Sequence, residues 1–278
     1  MLKEKTSPFD GSDSFQVIRE VRGDGRLGDF SLLQDPISGD SLVCRLFAEQ
    51  TLETANEIFT KLSSRAANNP RNVISLLDFS AIRQRSFCTS SYSFRAYYEY
   101  PYKDLEKLWA STVSSGVFPP HEKLMKIFYH TSTGLRFFSS IGGHGFLQLS
   151  SVFEEEETFK VCDNFTKDSG LGILKSGGGR PCTIFSPEAM LTCSRSISIS
   201  NFAKVDSFHL GIILLALGTH LIPRELYNFT TFSIDLAKLR RHIDLFTARY
   251  EPENPLLVKI VKTLLVLDPT DRLIPSEL

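Results

Sequence analysis

The segment Gly142-Gly-His-Gly-Phe-Leu-Gln-Leu-Ser-Ser-Val-Phe-Glu-Glu-Glu-Glu-Thr-Phe-Lys-Val-Cys-Asp163-Asn-Phe165 decides how this chain is read. Apolar residues alternate on both sides of four glutamates. The segment is therefore expected to form two short strands, a hairpin over 144–161, joined by an acidic turn. Glu154 to Glu157 read as a solvated turn rather than a metal site. The segment closes on one carboxylate, Asp163.

On the N-terminal side the pattern is that of strands. Residues 1–14 are polar and turn-rich and are expected to be a disordered lead-in. Phe15 to Arg22 mixes apolar and charged residues as a half-buried strand does. Gly23-Asp-Gly25-Arg-Leu-Gly28 is a glycine loop, Asp29 to Gln34 the returning strand, and Ser41 to Phe47 a third. No helical pattern follows the glycines, which excludes a dinucleotide-binding fingerprint. Ala48 to Arg65 carries Leu52, Ala55, Ile58, Phe59 and Leu62 at helical spacing, and Asn68 to Asn72 breaks it. Val73 to Phe79 and Ser93 to Tyr100 are two more strands, and Glu99 to Lys103 reads as a linker.

Beyond the linker the period becomes helical. Asp104 is placed as an N-cap for a helix to Thr112. Pro119-Pro120 opens a longer helix to about Ser140, with Leu124, Ile127, Phe128, Leu135 and Phe138 on its buried side. Residues 166–183, including Ser176 to Gly179, read as loop. Val205 to His220 is apolar nearly all round and is expected to be a buried helix. Phe232 to Thr247 and Pro255 to Leu267 are further helices.

The bulk numbers narrow the function classes. The 278 residues are 42% hydrophobic and 23% charged, enough for one large or two small globular domains. With 31 basic and 32 acidic residues, the net charge of -1 offers no field for nucleic acid or an anionic membrane. The 22 phenylalanines fall mostly in apolar-periodic segments and read as core. Five scattered cysteines include no C-x-x-C pair, which argues for reduced thiols and against a zinc site. The first residues contain no apolar stretch of a secretory leader, and the run from Leu210 to Leu217 is too short to span a bilayer. A cytoplasmic location is expected, with the nucleus left open.

From about residue 15 to the end, the order of these pieces resembles the eukaryotic-type protein kinase domain. Seven landmarks carry the resemblance. Gly23-x-Gly25-x-x-Gly28 is similar to the glycine-rich loop over ATP phosphates. Leu42-Val-Cys-Arg45 stands where the family has V-A-I-K. Asn69-Pro-Arg-Asn-Val-Ile74 is similar to H-P-N-I-V, and Tyr98-Glu-Tyr100 to the gatekeeper and hinge. Ser186-Pro-Glu188 resembles A-P-E, Asp206-Ser-Phe-His-Leu-Gly211 resembles D-x-W-S-L-G, and Leu267-Asp-Pro-Thr-Asp-Arg272 resembles L-D-P-x-x-R. Each is weak alone; their order and spacing give the resemblance its force. It implies an α+β, bilobal kinase-like fold. The N-lobe (15–98) would hold five antiparallel strands and one helix, the hinge would span 99–103, and the C-lobe (104–278) would be mainly helical. The chain ends where the family's last helix begins, so it is expected either to be a fragment or to lack that helix.

The departures from the family pattern bear on activity. The family's catalytic loop is H-R-D-L-K-P-x-N. Aligned to it, His144 to Ser151 puts Gly145 at Arg, Phe146 at the catalytic Asp, Gln148 at Lys and Ser151 at the Mg²⁺-binding Asn. A slip of one residue puts Leu147 at the Asp position, with the same consequence. Phosphoryl transfer needs a carboxylate at that point, and no Asp or Glu lies between Glu122 and Glu154. Arg45 replaces the third-strand Lys, with Glu57 as its expected helix partner and Glu53 as the alternative. D-F-G is replaced by Asp163-Asn-Phe165, which keeps only the metal-binding Asp. His144 reads as a packed core histidine. The resemblance also implies that Glu188 and Arg272 form a buried structural ion pair and that Asp206 holds the catalytic-loop backbone.

The expected function is a pseudokinase, a scaffold or allosteric interaction module that transfers no phosphate. A nucleotide-binding switch and a weakly active Ser/Thr kinase are the alternatives. Candidate nucleotide-binding residues are Gly23, Gly25, Gly28, Arg45, Glu57, Glu99, Tyr100 and Asp163. No cofactor is required; ATP is the candidate ligand, and Asp163 is the one candidate for Mg²⁺. The expected partners are proteins, such as an active kinase or a signalling complex, with no nucleic acid and no membrane.

Overall fold

The alternating pattern of the first hundred residues folds into one antiparallel sheet. The computed structural model describes residues 4–10, 15–21, 30–49, 51–85, 90–100, 103–163, 169–175, 179–195 and 198–277. The chain divides into two compact units, residues 1–101 and 102–278. Gly23, Gly25 and Gly28, together with Asn164, Phe165 and Ser176 to Gly178, lie outside the described residues.

In the N-terminal unit, β1 (Gln16–Val21), β2 (Phe30–Gln34) and β3 (Ser41–Glu49) are followed by α1 (Leu52–Ala67), β4 (Leu76–Arg85) and β5 (Ser90–Glu99). The sheet order is β1-β2-β3-β5-β4, with every pairing antiparallel. β3, β4 and β5 are longer than sequence alternation suggests, because each is paired along most of its length. Register assigns the faces. Arg45 pairs with Ala96, which pairs with Phe79, so these share one face. α1 covers that face, with Phe59 edge-on to Phe79 at 5.5 Å. Arg65, fully buried at the end of α1, donates to the carbonyls of Asn68 and Ile74 and ties the helix to β4.

The opposite face carries Leu33, Leu42, Cys44 and Tyr97, packed under Phe9 and Phe15. Here the expectation of a disordered lead-in over 1–14 is corrected for residues 4–10. Lys5 forms an antiparallel bridge with Ala81 on the β4 edge. A 3-10 turn at Pro8–Asp10 then brings Phe9 against Tyr97, with ring centroids 5.2 Å apart. Polar residues dock here because their partners, Asp78 and Tyr97, lie about seventy to ninety positions away in the chain, beyond any local pattern.

The C-terminal unit begins with β6 (Lys103–Asp104), α2 (Leu105–Ser115) and α3 (His121–Ser139). Asp104 caps α2, accepting the Lys107 N–H at 2.8 Å. A 3-10 turn (Leu149–Ser151), β7 (Val152–Glu155) and β8 (Thr158–Val161) follow, and β6-β7-β8 form a small sheet. The first strand of the expected hairpin is therefore shorter than predicted: residues 143–148 are extended loop. α4 (Ser169–Lys175) occupies part of the segment read as loop, and α5 (Pro187–Arg195) follows. α6 (Phe202–Thr219), a 3-10 turn (Pro223–Leu226), β9 (Tyr227–Asn228), β10 (Ser233–Ile234), α7 (Leu236–Tyr250) and α8 (Pro255–Leu264) complete the described residues. α6 is the axis of this unit, contacted by α2, α3, α7 and α8. Its 18 residues are long and apolar enough to cross a membrane, which corrects the shorter apolar run read from sequence; 83% of that span is buried in the structure.

Candidate functional site

The loop before Ser151 presses against the start of α6 at Gly143 and Gly145, and glycine makes the contact possible. Gly143 and Gly145 have φ of +87° and +82°, a region L side chains rarely enter. A Cβ on Gly143 would sit 2.6 Å from Phe202 Cβ, and one on Gly145 would sit 2.9 Å from Phe202 Cδ1. This close approach lets Asp206 reach the loop backbone. Its carboxylate accepts the N–H of His144 at 2.8 Å and of Gly145 at 2.7 Å. Burial pushes the Asp206 pKa up to about 7, against the two N–H donors that favour the anion.

The side chains of this loop point into the core. His144 is buried and lies 3.0 Å through Nε2 from the Cys162 carbonyl. Phe146 is buried, tilted against Phe185 and edge-on to His209, each at 6.2 Å. Gln148 is fully buried and clamps both main-chain groups of Ile184: Oε1 accepts the N–H at 2.7 Å and Nε2 donates to the carbonyl at 2.9 Å. Ser151 Oγ accepts the Gln148 N–H at 3.1 Å. Tyr227 repeats the clamp one residue on, with its hydroxyl 2.9 Å from both the N–H and the carbonyl of Phe185. Consecutive residues Ile184 and Phe185 are thus each held at both main-chain groups by one side chain.

His209 was not singled out in the sequence. It sits one turn along α6 from Asp206, fully buried, with neither ring nitrogen hydrogen-bonded. Burial pushes its pKa down to about 3, and the charges of His144 and Arg272 add to the effect. Ile184, Phe185 and Tyr227 were also missed. Nothing local marks them, since Ile184 lies 36 residues from Gln148 and Tyr227 42 from Phe185.

Other predicted site residues divide clearly. Glu188 and Arg272 are brought together, with Nη1 to Oε1 at 2.7 Å and Nη2 to Oε2 at 3.3 Å. Arg272 is fully buried and also donates to the carbonyls of Lys204, Val266 and Leu267. Asp163 is buried just after β8. Arg45 is buried on the α1 face of the sheet, with its guanidinium carbon 5.1 Å from the Phe47 ring centroid. Its expected helix partners, Glu57 and Glu53, stand exposed on α1. Glu99 is committed locally, its carboxylate accepting the Ser75 N–H at 2.8 Å, and Tyr100 follows the end of β5, half-buried.

The acidic turn has its own partners. Glu154 pairs with Lys123 at 2.7 Å and Lys103 at 3.5 Å, Glu155 with Lys160, and Glu157 with Lys126 at 2.6 Å. Among the described residues no group of three or more His, Cys, Asp and Glu is placed to hold a metal ion. Compared with known proteins, no family model matches the chain, and neither does any curated protein.

Proposed function

We propose that this chain is a pseudokinase: a bilobal, kinase-like protein that engages protein partners and transfers no phosphate. One observation carries the reading, the acceptance of the His144 and Gly145 N–H groups by Asp206. In the family this aspartate holds the catalytic-loop backbone, so the contact supports the register that puts Phe146 at the proton acceptor. The slip that would put Leu147 there loses support. Five antiparallel strands with one helix after the third, and the Glu188–Arg272 pair, agree with the same resemblance.

In this register each chemical position is filled by a group that cannot do the family's work. Phe146 has no lone pair to accept a hydroxyl proton. The Gln148 amide is committed to Ile184, and the Ser151 hydroxyl to the Gln148 N–H. Asp163 is the remaining acidic donor, so the residues do not fit a two-metal arrangement. Loss of a general base alone costs about 10²–10⁴ in rate. The fold then has the role of a surface, and its partners are proteins, an active kinase or signalling complex among them.

Thermal unfolding in the presence of ATP, with and without Mg²⁺, tests the reading. No shift in Tm is expected. A shift without ATP consumption would support a nucleotide-sensing switch instead. A Mg²⁺-dependent shift accompanied by loss of the γ-phosphate would overturn the proposal.

A further inference from the structure

The chain contains two Ser-Pro dipeptides, Ser7-Pro8 and Ser186-Pro187. Ser186 is fully buried and its hydroxyl accepts the Ala189 N–H in the first turn of α5. Ser7 lies in the strap of residues 4–10 that crosses the sheet from the β4 edge. Its hydroxyl donates to Asp78 Oδ2 at 2.8 Å, and its main-chain N–H donates to Asp10 Oδ2 at 2.7 Å. Two cations stand beside these carboxylates among the described residues. Lys5 pairs with Asp78, and Arg95 lies 3.6 Å from Asp10, which also accepts the Tyr97 hydroxyl at 2.8 Å. Among the described residues the two carboxylates are matched by these two cations, and the Ser7 hydroxyl is a neutral donor to Asp78.

We propose that Ser7 is a phosphorylation site for a proline-directed protein kinase, and that phosphate there releases the strap. In the reaction the Ser7 oxygen forms a bond to the γ-phosphorus of ATP, the bond to ADP breaks, and the hydroxyl proton leaves. The donor to Asp78 becomes a near-dianion with acceptor oxygens only. Asp78, held ionised by Lys5 and Ser7, cannot donate to it, and Asp10 adds like charge on the other side. Lys5 and Arg95 are already matched to those carboxylates. Ser7 is 7% exposed, which leaves no room for the phosphoryl group in the docked strap. The kinase reaches Ser7 when the strap, held to β4 by one backbone bridge and by the contacts of Lys5 and Ser7 with Asp78, opens locally; the phosphate then prevents it from closing. Opening frees the Ala81 N–H and carbonyl on the β4 edge and lifts Phe9 from the cluster of Leu33, Leu42, Cys44 and Tyr97.

Cys44 under the strap serves as the reporter. The full chain is treated with a proline-directed kinase and ATP. Peptide mass spectrometry then follows phosphate at Ser7, iodoacetamide labelling of Cys44, and deuterium exchange in the peptide containing Ala81. Phosphate is expected at Ser7 and absent from Ser186. Cys44 labelling and Ala81 exchange are expected to rise about tenfold or more. Ser7→Ala removes the incorporation, and kinase treatment then leaves both rates unchanged. Failure to modify Ser7, or a Ser7 phosphate that leaves Cys44 and Ala81 as protected as before, would overturn the proposal.

Discussion

Residues 143–151 and 154–157 are neighbours in the chain and opposite in the use of their polar groups. In the first stretch every polar group described above is turned inward and spent on scaffold: the loop N–H groups on Asp206, the Gln148 amide on Ile184, the Ser151 hydroxyl on Gln148. In the second, Glu155 and Glu157 face outward to Lys160 and Lys126, and Glu154 is half-buried against Lys123. The contrast shows where this chain retains acids. Glu155 and Glu157 lie at an exposed hairpin end where pairs contribute little, while the proposed proton-acceptor position holds a core phenylalanine. Substitutions should therefore separate the two stretches by size of effect.

The largest loss is expected from Asp206→Ala. It leaves the buried His144 N–H and the part-buried Gly145 N–H without an acceptor, at about 2–4 kcal/mol in all by urea unfolding. Gln148→Leu keeps the volume but orphans the N–H and carbonyl of Ile184. It should cost about 2–4 kcal/mol in the same measurement. If either change were neutral, the inward-facing stretch would be less tied to the scaffold than its hydrogen bonds imply.

The pH profile sharpens the comparison within α6. Asp206 has a folded pKa of about 7, above the ordinary 3.8. Its stabilisation is present below about pH 4 and is lost as pH rises toward 7. His209 is opposite: a folded pKa of about 3 lies below the ordinary 6.5, so its stabilisation is present above about pH 6.5 and is lost as pH falls toward 3. The two windows nearly coincide, and their slopes should offset in the unmodified chain. Asp206→Asn should expose a loss toward acid, and His209→Phe a loss toward neutral pH, each approaching about 1.4 kcal/mol per pH unit. Unfolding free energies measured from pH 4 to 7 check both signs.

The smallest effect belongs to the acidic turn. Glu156 and Glu157 occupy a two-residue hairpin turn with φ of +45° and +65°. That geometry favours Asn or Gly. Glu156→Asn should stabilise the chain by about 0.5–1 kcal/mol in thermal unfolding. Destabilisation would mean that Glu156 makes a contact worth more than its backbone strain.

Much of the local structure was legible. Strand alternation, the Asp104 cap and the apolar ring of α6 come from residues a few positions apart, so periodicity and capping chemistry reveal them. The strand read at 144–151 failed for an informative reason. Phe146, Leu147 and Leu149 are buried as a strand face would be, but Gly143 and Gly145 take positive φ to press against α6, and a 3-10 turn follows. Burial alone does not distinguish a strand from a loop pinned by tertiary contacts. Asp206, Glu188 and Arg272 were singled out through the resemblance to kinase motifs, not through any local pattern. His209 and Tyr227 were not, since their meaning arises only from groups brought together by folding. The strap was missed for the same reason: its polar sequence suits solvent until Asp78 and Tyr97 are placed beside it.

The central claim is that phosphoryl transfer is absent because Phe146 holds the acceptor position. It is tested most directly by incubating the full chain with γ-labelled ATP, Mg²⁺ and a generic protein substrate, and measuring label in protein and free phosphate. The account predicts no transfer above a heat-unfolded sample. Mg²⁺-dependent transfer that Asp163→Asn abolishes would contradict it.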